Sequence, residues 1–272
     1  MEGILVFALY SLILFVICMA GAYLPQIKQL NDRQKHLLIA LTAGIFVGLL
    51  FWLFLPESYE LTVEDGGHSY SVMCYAILAG FLVISLIDVL IKIRHGDSHH
   101  HHHHDDDDDD DEDEHSHQIV SLSAFIGLSI HAGCDGLALA AATLGGETLG
   151  AVALGGMCLH KFIETFSLSS SLLLTENDVR KRWTYLTGFA LITPIMGMVM
   201  YLFLNGIDVE GIAGLPMAFA AGTFMFVTFC DLLPEAYHRK DNSLRTFIFV
   251  VIGVAIAAVC MTLVNMAGGH HH

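Results

Sequence analysis

Eight apolar runs, separated by short polar stretches, take up most of the chain: roughly residues 3–24, 36–56, 70–92, 119–144, 148–175, 182–204, 212–233 and 244–267. A hydrocarbon core needs about 20 largely apolar residues per helix, so each run is long enough to span a bilayer. The expected fold is therefore an all-α polytopic membrane protein of eight transmembrane helices, with little chain left for a soluble domain. The first run lacks a basic n-region and exceeds a typical signal-peptide core, so it is expected to stay as a helix.

Composition supports this setting: 54% of the residues are hydrophobic and mean hydropathy is +0.61. The twelve Lys and Arg orient it. Lys28, Arg33 and Lys35 fall in the first connection, Lys92 and Arg94 in the third, Arg180, Lys181 and Arg182 in the fifth, and Arg239, Lys240 and Arg245 around the seventh. Odd-numbered loops should then be cytoplasmic and both termini extracytoplasmic, facing the outside or an organelle lumen. Even-numbered loops carry only acids, such as Glu57, Glu60, Glu64 and Asp65 in the second. Lys161 is the exception, deep in the fifth run.

Two polar pairs interrupt adjacent apolar runs near their midpoints: His131 with Asp135, and His160 with Glu164. Ionisable groups at membrane depth are costly and point to function. The i,i+4 spacing puts each pair on one helix face. Two such faces turned together offer two imidazoles and two carboxylates, a tetrahedral set suited to Zn(II), although several divalent metals accept it. The competing reading is an interhelical hydrogen-bonding residue, which a single His would satisfy but two matched pairs fit less well.

Cys18, Cys74, Cys134, Cys158, Cys230 and Cys260 all lie in the runs without a CxxC pair, so no disulfide framework is expected. Cys230 sits in an internal repeat. The segment 43–57, AGIFVGLLFWLFLPE, matches 221–235, AGTFMFVTFCDLLPE, with one copy running outward and the other inward. Inverted repeats characterise secondary transporters. Where the first copy has Trp52 and Leu53, the second has Cys230 and Asp231. With Glu235, these are candidates for a cytoplasmic exit pathway.

Between the third and fourth runs, residues 95–117 hold nine His and eleven acids with no Lys or Arg. Such a stretch is expected to be disordered and to bind metal weakly, with His99, His100, His101, His102, His103, His104, His115 and His117 as the capture residues. Its eleven acids account for most of the net charge of −16, so the acidity belongs to this loop.

Eight spans with outward termini, a His-rich loop between spans 3 and 4, HxxxDG from His131 to Gly136, HKxxE from His160 to Glu164 and two Leu-Pro-Glu ends together resemble the ZIP (zinc/iron permease) transporters over nearly the whole chain. The resemblance implies a 3+2+3 helix arrangement and import of Zn(II), or a related divalent metal, into the cytosol between helices 4 and 5. It also implies that members with a two-metal site carry an amide or acid after the first His, an acid after the second, and a Glu before the Pro of helix 6. Here those places hold Ala132, Lys161 and Thr193, so Lys161 stands as a surrogate for the second metal. Asp135 is shorter than the family's usual Glu. When metal is absent, Lys161 is expected to pair with Glu164.

The expected organisation is helices 1–3 over 1–94, a disordered cytoplasmic loop over 95–118, the metal-carrying helices 4 and 5 over 119–175, and helices 6–8 over 176–272. No prosthetic group and no enzymatic activity are expected, because the metal is cargo. The expected partners are that ion and the lipid bilayer of a plasma or organelle membrane, with a homodimer compatible and the oligomeric state left open. The scattered cations argue against nucleic acid. Two other readings use the same residues: an intramembrane metallohydrolase, against which the chain has no HExxH, and a cation-diffusion-type exporter, which usually has six spans and a soluble tail.

Overall fold

The computed structural model describes residues 2–27, 31–96, 109–207, 209, 211–237 and 243–267, and nearly all of them are helical. The long helices are α1 (Glu2–Tyr23), α2 (Asp32–Leu49), α4 (Tyr70–Gly96), α5 (Asp109–Gly145), α6 (Glu147–Thr175), α7 (Val179–Leu204), α8 (Gly214–Phe226) and α10 (Ser243–Ala267). Two short helices, α3 (Leu55–Tyr59) and α9 (Leu233–Tyr237), continue α2 and α8 across π-helical segments at Leu50–Phe54 and Val227–Leu232. Seven of the resulting helical stretches are long and apolar enough to cross a membrane. The remaining long helix is α6, whose polar load includes His160, Lys161, Glu164, Thr165 and Ser167, all buried inside the bundle. Large apolar side chains face outward instead, for example Leu5, Leu9, Leu12 and Val16 on α1 and Leu82, Leu86, Val89 and Leu90 on α4. That inside-out polarity suits a lipid solvent, in which helices satisfy their own backbone groups.

Two expected boundaries move. The second span does not end at residue 56: helix continues through α3 and a further π segment to Glu64, so Glu57, Glu60 and Glu64 lie on helix rather than in a loop. Proline lacks an N–H and crowds the carbonyl four residues back. The wide π turn before each Leu-Pro-Glu absorbs this, so Pro56 and Pro234 redirect the helix without stopping it. The expected loop over 95–118 also shortens, because α4 runs to Gly96 and α5 begins at Asp109. The acids 109–114 occupy the first turns of α5, where negative charge is favoured by the helix dipole. His99 to His104 lie outside the described residues. His115 and His117 fall on the α5 backbone, with their side chains likewise outside what is described.

The packing repeats itself. α2 lies along α10 and α4 along α8, while α1 lies along α6 and α5 along α7. Exchanging α1 with α7, α2 with α8, α4 with α10 and α5 with α6 converts each pair into another of the set. Backbone contacts obey the same exchange: a Cβ at Gly44 would strike the Val250 carbonyl, and one at Gly222 the Ile77 carbonyl. Phe46 and Phe224, equivalent in the repeat, stack on each other with ring centroids 4.6 Å apart.

The α5/α6 connection positions the polar pairs. Gly146 alone separates the two helices, at φ 156°, a region that disfavours side chains. Counting 1.5 Å per residue from this hairpin, His131 and His160 lie at nearly equal depth, roughly 22 and 21 Å down. Immediately after Asp135, Gly136 lets α5 approach α7: a Cβ there would sit 2.7 Å from both Gly197 N and Thr193 O. Gly136→Leu should therefore force these helices apart. Overpacking of this kind costs about 1–3 kcal/mol or more, to be read as a lowered thermal midpoint of the detergent-solubilised chain, whereas Gly188→Leu, with open space at its Cβ, should leave it unchanged.

Candidate metal centre

His131, Asp135 and His160 converge as the hairpin geometry requires. Each offers a ligand atom, and these atoms lie within 4.8 Å of one another in a buried pocket. Among the described residues, no other group of three His, Cys, Asp or Glu comes so close. Asp135 is the hub: its Oδ2 lies 3.5 Å from His131 Nε2, 3.4 Å from His160 Nε2 and 2.7 Å from Lys161 Nζ. Glu164 stands just outside this set, with Oε1 4.0 Å from His131 Nε2 and Oε2 2.5 Å from Lys161 Nζ. The expected four residues are thus brought together, and Lys161 bridges both carboxylates rather than pairing with Glu164 alone.

The surroundings fix the orientation of these candidate ligands. His131 Nδ1–H donates to the Ala220 carbonyl at 3.3 Å, which in the neutral ring leaves the lone pair on Nε2, the nitrogen 3.5 Å from Asp135 Oδ2. Phe54 places its ring edge-on to both imidazoles, 4.5 Å from His131 and 5.4 Å from His160 between centroids. Phe224 adds a second aromatic wall 5.2 Å from His131. Lys161 Nζ lies 5.5 Å from the Phe189 ring. His131 Nε2, His160 Nδ1, Asp135 Oδ1 and Glu164 Oε1 are buried without a hydrogen-bond partner. Unpartnered buried lone-pair donors on these four residues fit a cation that would engage them, since buried polar atoms are otherwise nearly always bonded.

At the positions where the resemblance implies a second metal, Thr193 Oγ1 donates to the Ala132 carbonyl at 2.9 Å, and the Lys161 ammonium completes the substitution. In the exit-pathway candidates, Asp231 is buried while Cys230, beside it in the same π segment, is exposed. Glu235 follows on α9. The six cysteines are free thiols.

Phe54 and the Ala220 carbonyl were not legible in the sequence. Phe54 reads like its exposed neighbours Phe51 and Trp52, and a backbone carbonyl carries no residue signal. The repeat over 43–57 and 221–235 is the sequence feature that includes Phe54; Ala220 lies just before its second copy.

Comparison with known proteins decides the family. Residues 92–261, more than half of the chain, match the family described as ZIP Zinc transporter. The chain belongs to the ZIP family. It is 26% identical to zinc transporter ZIP9 of Micropogonias undulatus, over 97% of this chain and 98% of that one. It is 32% identical to ZIP9 of Macaca fascicularis, over 54% of this chain and 67% of that one. With zinc transporter ZupT of Nitratidesulfovibrio vulgaris it shares 25% identity, over 87% and 88%. A ZIP chain with these helices is an integral, multi-pass membrane protein, and the metallohydrolase and exporter readings gain nothing from these relatives.

Proposed function

We propose that this ZIP chain is a secondary transporter that carries a divalent metal, Zn(II) first, into the cytosol through the site between α5 and α6. One observation carries the reading: His131, Asp135 and His160, with Glu164 beside them, meet in a buried pocket near the midpoints of α5 and α6, where ionisable groups are costly unless they have a task. The printed identities of ZIP9 and ZupT as zinc transporters support the choice of metal. The exchange symmetry of the helix pairs supports a 3+2+3 arrangement, with the first and last three spans as inverted repeats. Termini outside the cytosol follow from the Lys and Arg distribution. The chain sits in a plasma or organelle membrane, and a homodimer is compatible.

In this reading the imidazoles bind through Nε2 of His131 and a ring nitrogen of His160, with one oxygen each from Asp135 and Glu164. Lys161 keeps charge in bounds. With the imidazoles neutral, the two carboxylates and the ammonium sum to −1, and a divalent metal brings the site to +1. Both values limit the cost of isolated charge in low dielectric. The Asp135 oxygen nearest both imidazoles is the one Lys161 holds, so metal and ammonium compete for it. That competition keeps affinity moderate, as release demands. Asp231, Glu235 and Cys230 stand as exit groups, and the His run 99–104 with His115 and His117 as a weak capture tract.

The test is radioactive zinc uptake by cells expressing the wild-type chain, a His131→Ala/His160→Ala double variant and a deletion of 95–117, at matched surface abundance. Uptake should vanish only in the double variant and persist in the deletion. Equal cellular zinc in all three would sink zinc import at that membrane.

A further inference from the structure

The polar face of α6 does not end at the metal ligands. With 3.6 residues per turn, His160, Glu164, Ser167 and Ser171 project into one sector of roughly 60°. On the N-terminal side of His160 that sector holds Ala153 and Leu149, with Gly156 and Met157 just outside its two edges, and none of the four carries a hydroxyl or charge. The line of polar groups therefore leaves the site in one direction only, toward the C-terminal end of α6.

Ser167 differs from every hydroxyl around it. Thr165 Oγ1 donates to the Lys161 carbonyl at 2.7 Å, Ser169 Oγ to the Ala22 carbonyl at 2.7 Å and Ser170 Oγ to the Phe166 carbonyl at 2.7 Å. These three point away from the His160 sector, Thr165 and Ser169 toward α1. Ser167 Oγ, only 1% exposed as a residue, has no hydrogen-bond partner among the described residues. It lies three residues past Glu164, whose Oε1 is also unpartnered, about 4.5 Å further along the helix axis. A buried hydroxyl on a ligand-bearing face, left without a bond that its neighbours all make, is a group held for something else.

We propose that Ser167 is the first release station for the transported divalent cation, receiving it from Glu164 on the cytosolic side. This rests on the transport reading given above. As the ion leaves Asp135 and the imidazoles, Glu164 retains it while water refills its coordination shell, and Ser167 Oγ takes either the ion or one of its waters. A neutral hydroxyl is a weaker ligand than imidazole or carboxylate, so it lowers the barrier to departure without becoming a trap. Ser171, one further turn along, continues the path.

The test uses full-length protein in liposomes, with zinc uptake rates beside equilibrium zinc affinity of the purified chain by chelator competition. Ser167→Ala should lower the maximal rate about tenfold, the scale of one lost hydrogen bond to a charged group, with affinity unchanged. Ser167→Thr, which keeps the hydroxyl, should restore the rate, and Ser167→Cys should raise cadmium transport relative to zinc, because a thiolate prefers the softer ion. Ser170→Ala should match wild type. Wild-type kinetics in Ser167→Ala, or a fall in its equilibrium affinity, would overturn the proposal while leaving the transport reading intact. Absence of wild-type uptake, or its survival in the His131→Ala/His160→Ala variant, would overturn both.

Discussion

Asp135→Asn is expected to lower zinc uptake by more than about 100-fold while the protein still reaches the membrane. The side chain keeps its size, so the helices can pack as before, but the hub of the site loses its charge. Asp135 Oδ2 lies within 3.5 Å of both imidazoles and 2.7 Å from Lys161. Without it, Lys161 and Glu164 balance each other, and a bound divalent metal raises the buried site to +2. Removing one member of a buried charge set costs about 3–5 kcal/mol, and 3 kcal/mol already exceeds 100-fold in affinity. Asp135→Glu should retain far more activity, because it keeps the charge. Uptake rates and chelator-competition affinities for both variants, at matched abundance, check this; equal loss in Asp135→Glu and Asp135→Asn would assign the effect to packing.

The candidate ligands were legible because helix geometry writes them into the sequence. His131 with Asp135 and His160 with Glu164 need only i,i+4 spacing, and a one-residue turn at Gly146 sets both histidines at one depth. Lys161 was legible as a local partner of Glu164, three residues on, but not as the bridge to Asp135, which needs the register between two helices. The span ending at Pro56 shows the opposite case. Proline normally ends a helix, and only a π turn, which has no sequence signature of its own, lets the chain continue helically to Glu64. Acid-rich sequence likewise read as loop at 109–118, where the helix dipole instead accepts it as the start of α5. Ser167 was visible only as one of five hydroxyl residues between 165 and 171; that Thr165 and Ser170 bond back to carbonyls of α6 and Ser169 to α1, leaving Ser167 unpartnered, depends on side-chain rotamers and helix packing that sequence does not write.

Lys161→Met should make the fold depend on metal. Methionine matches the length of the lysine stem and suits the neighbouring Phe189 ring, so the main change is the loss of one positive charge between two buried carboxylates. Without metal, Asp135 and Glu164 then carry −2 uncompensated, a loss of about 3–5 kcal/mol for a broken buried pair. With metal bound, the site is neutral. Zinc should therefore raise the thermal midpoint of the variant by about 6 °C or more beyond its effect on wild type, taking roughly 2 °C per kcal/mol for a chain of this size. The competitor for Asp135 Oδ2 has gone as well, so equilibrium zinc affinity should rise by at least tenfold and release should slow. In uptake this appears as a lower KM together with a lower maximal rate, the pattern of a substrate bound too well. If Lys161 only fills space, KM, maximal rate and the zinc-induced shift will all match wild type, and the ammonium has no part in setting affinity. A lysine between the two buried carboxylates would then be a tolerated leftover, which its full burial and two short ion pairs argue against.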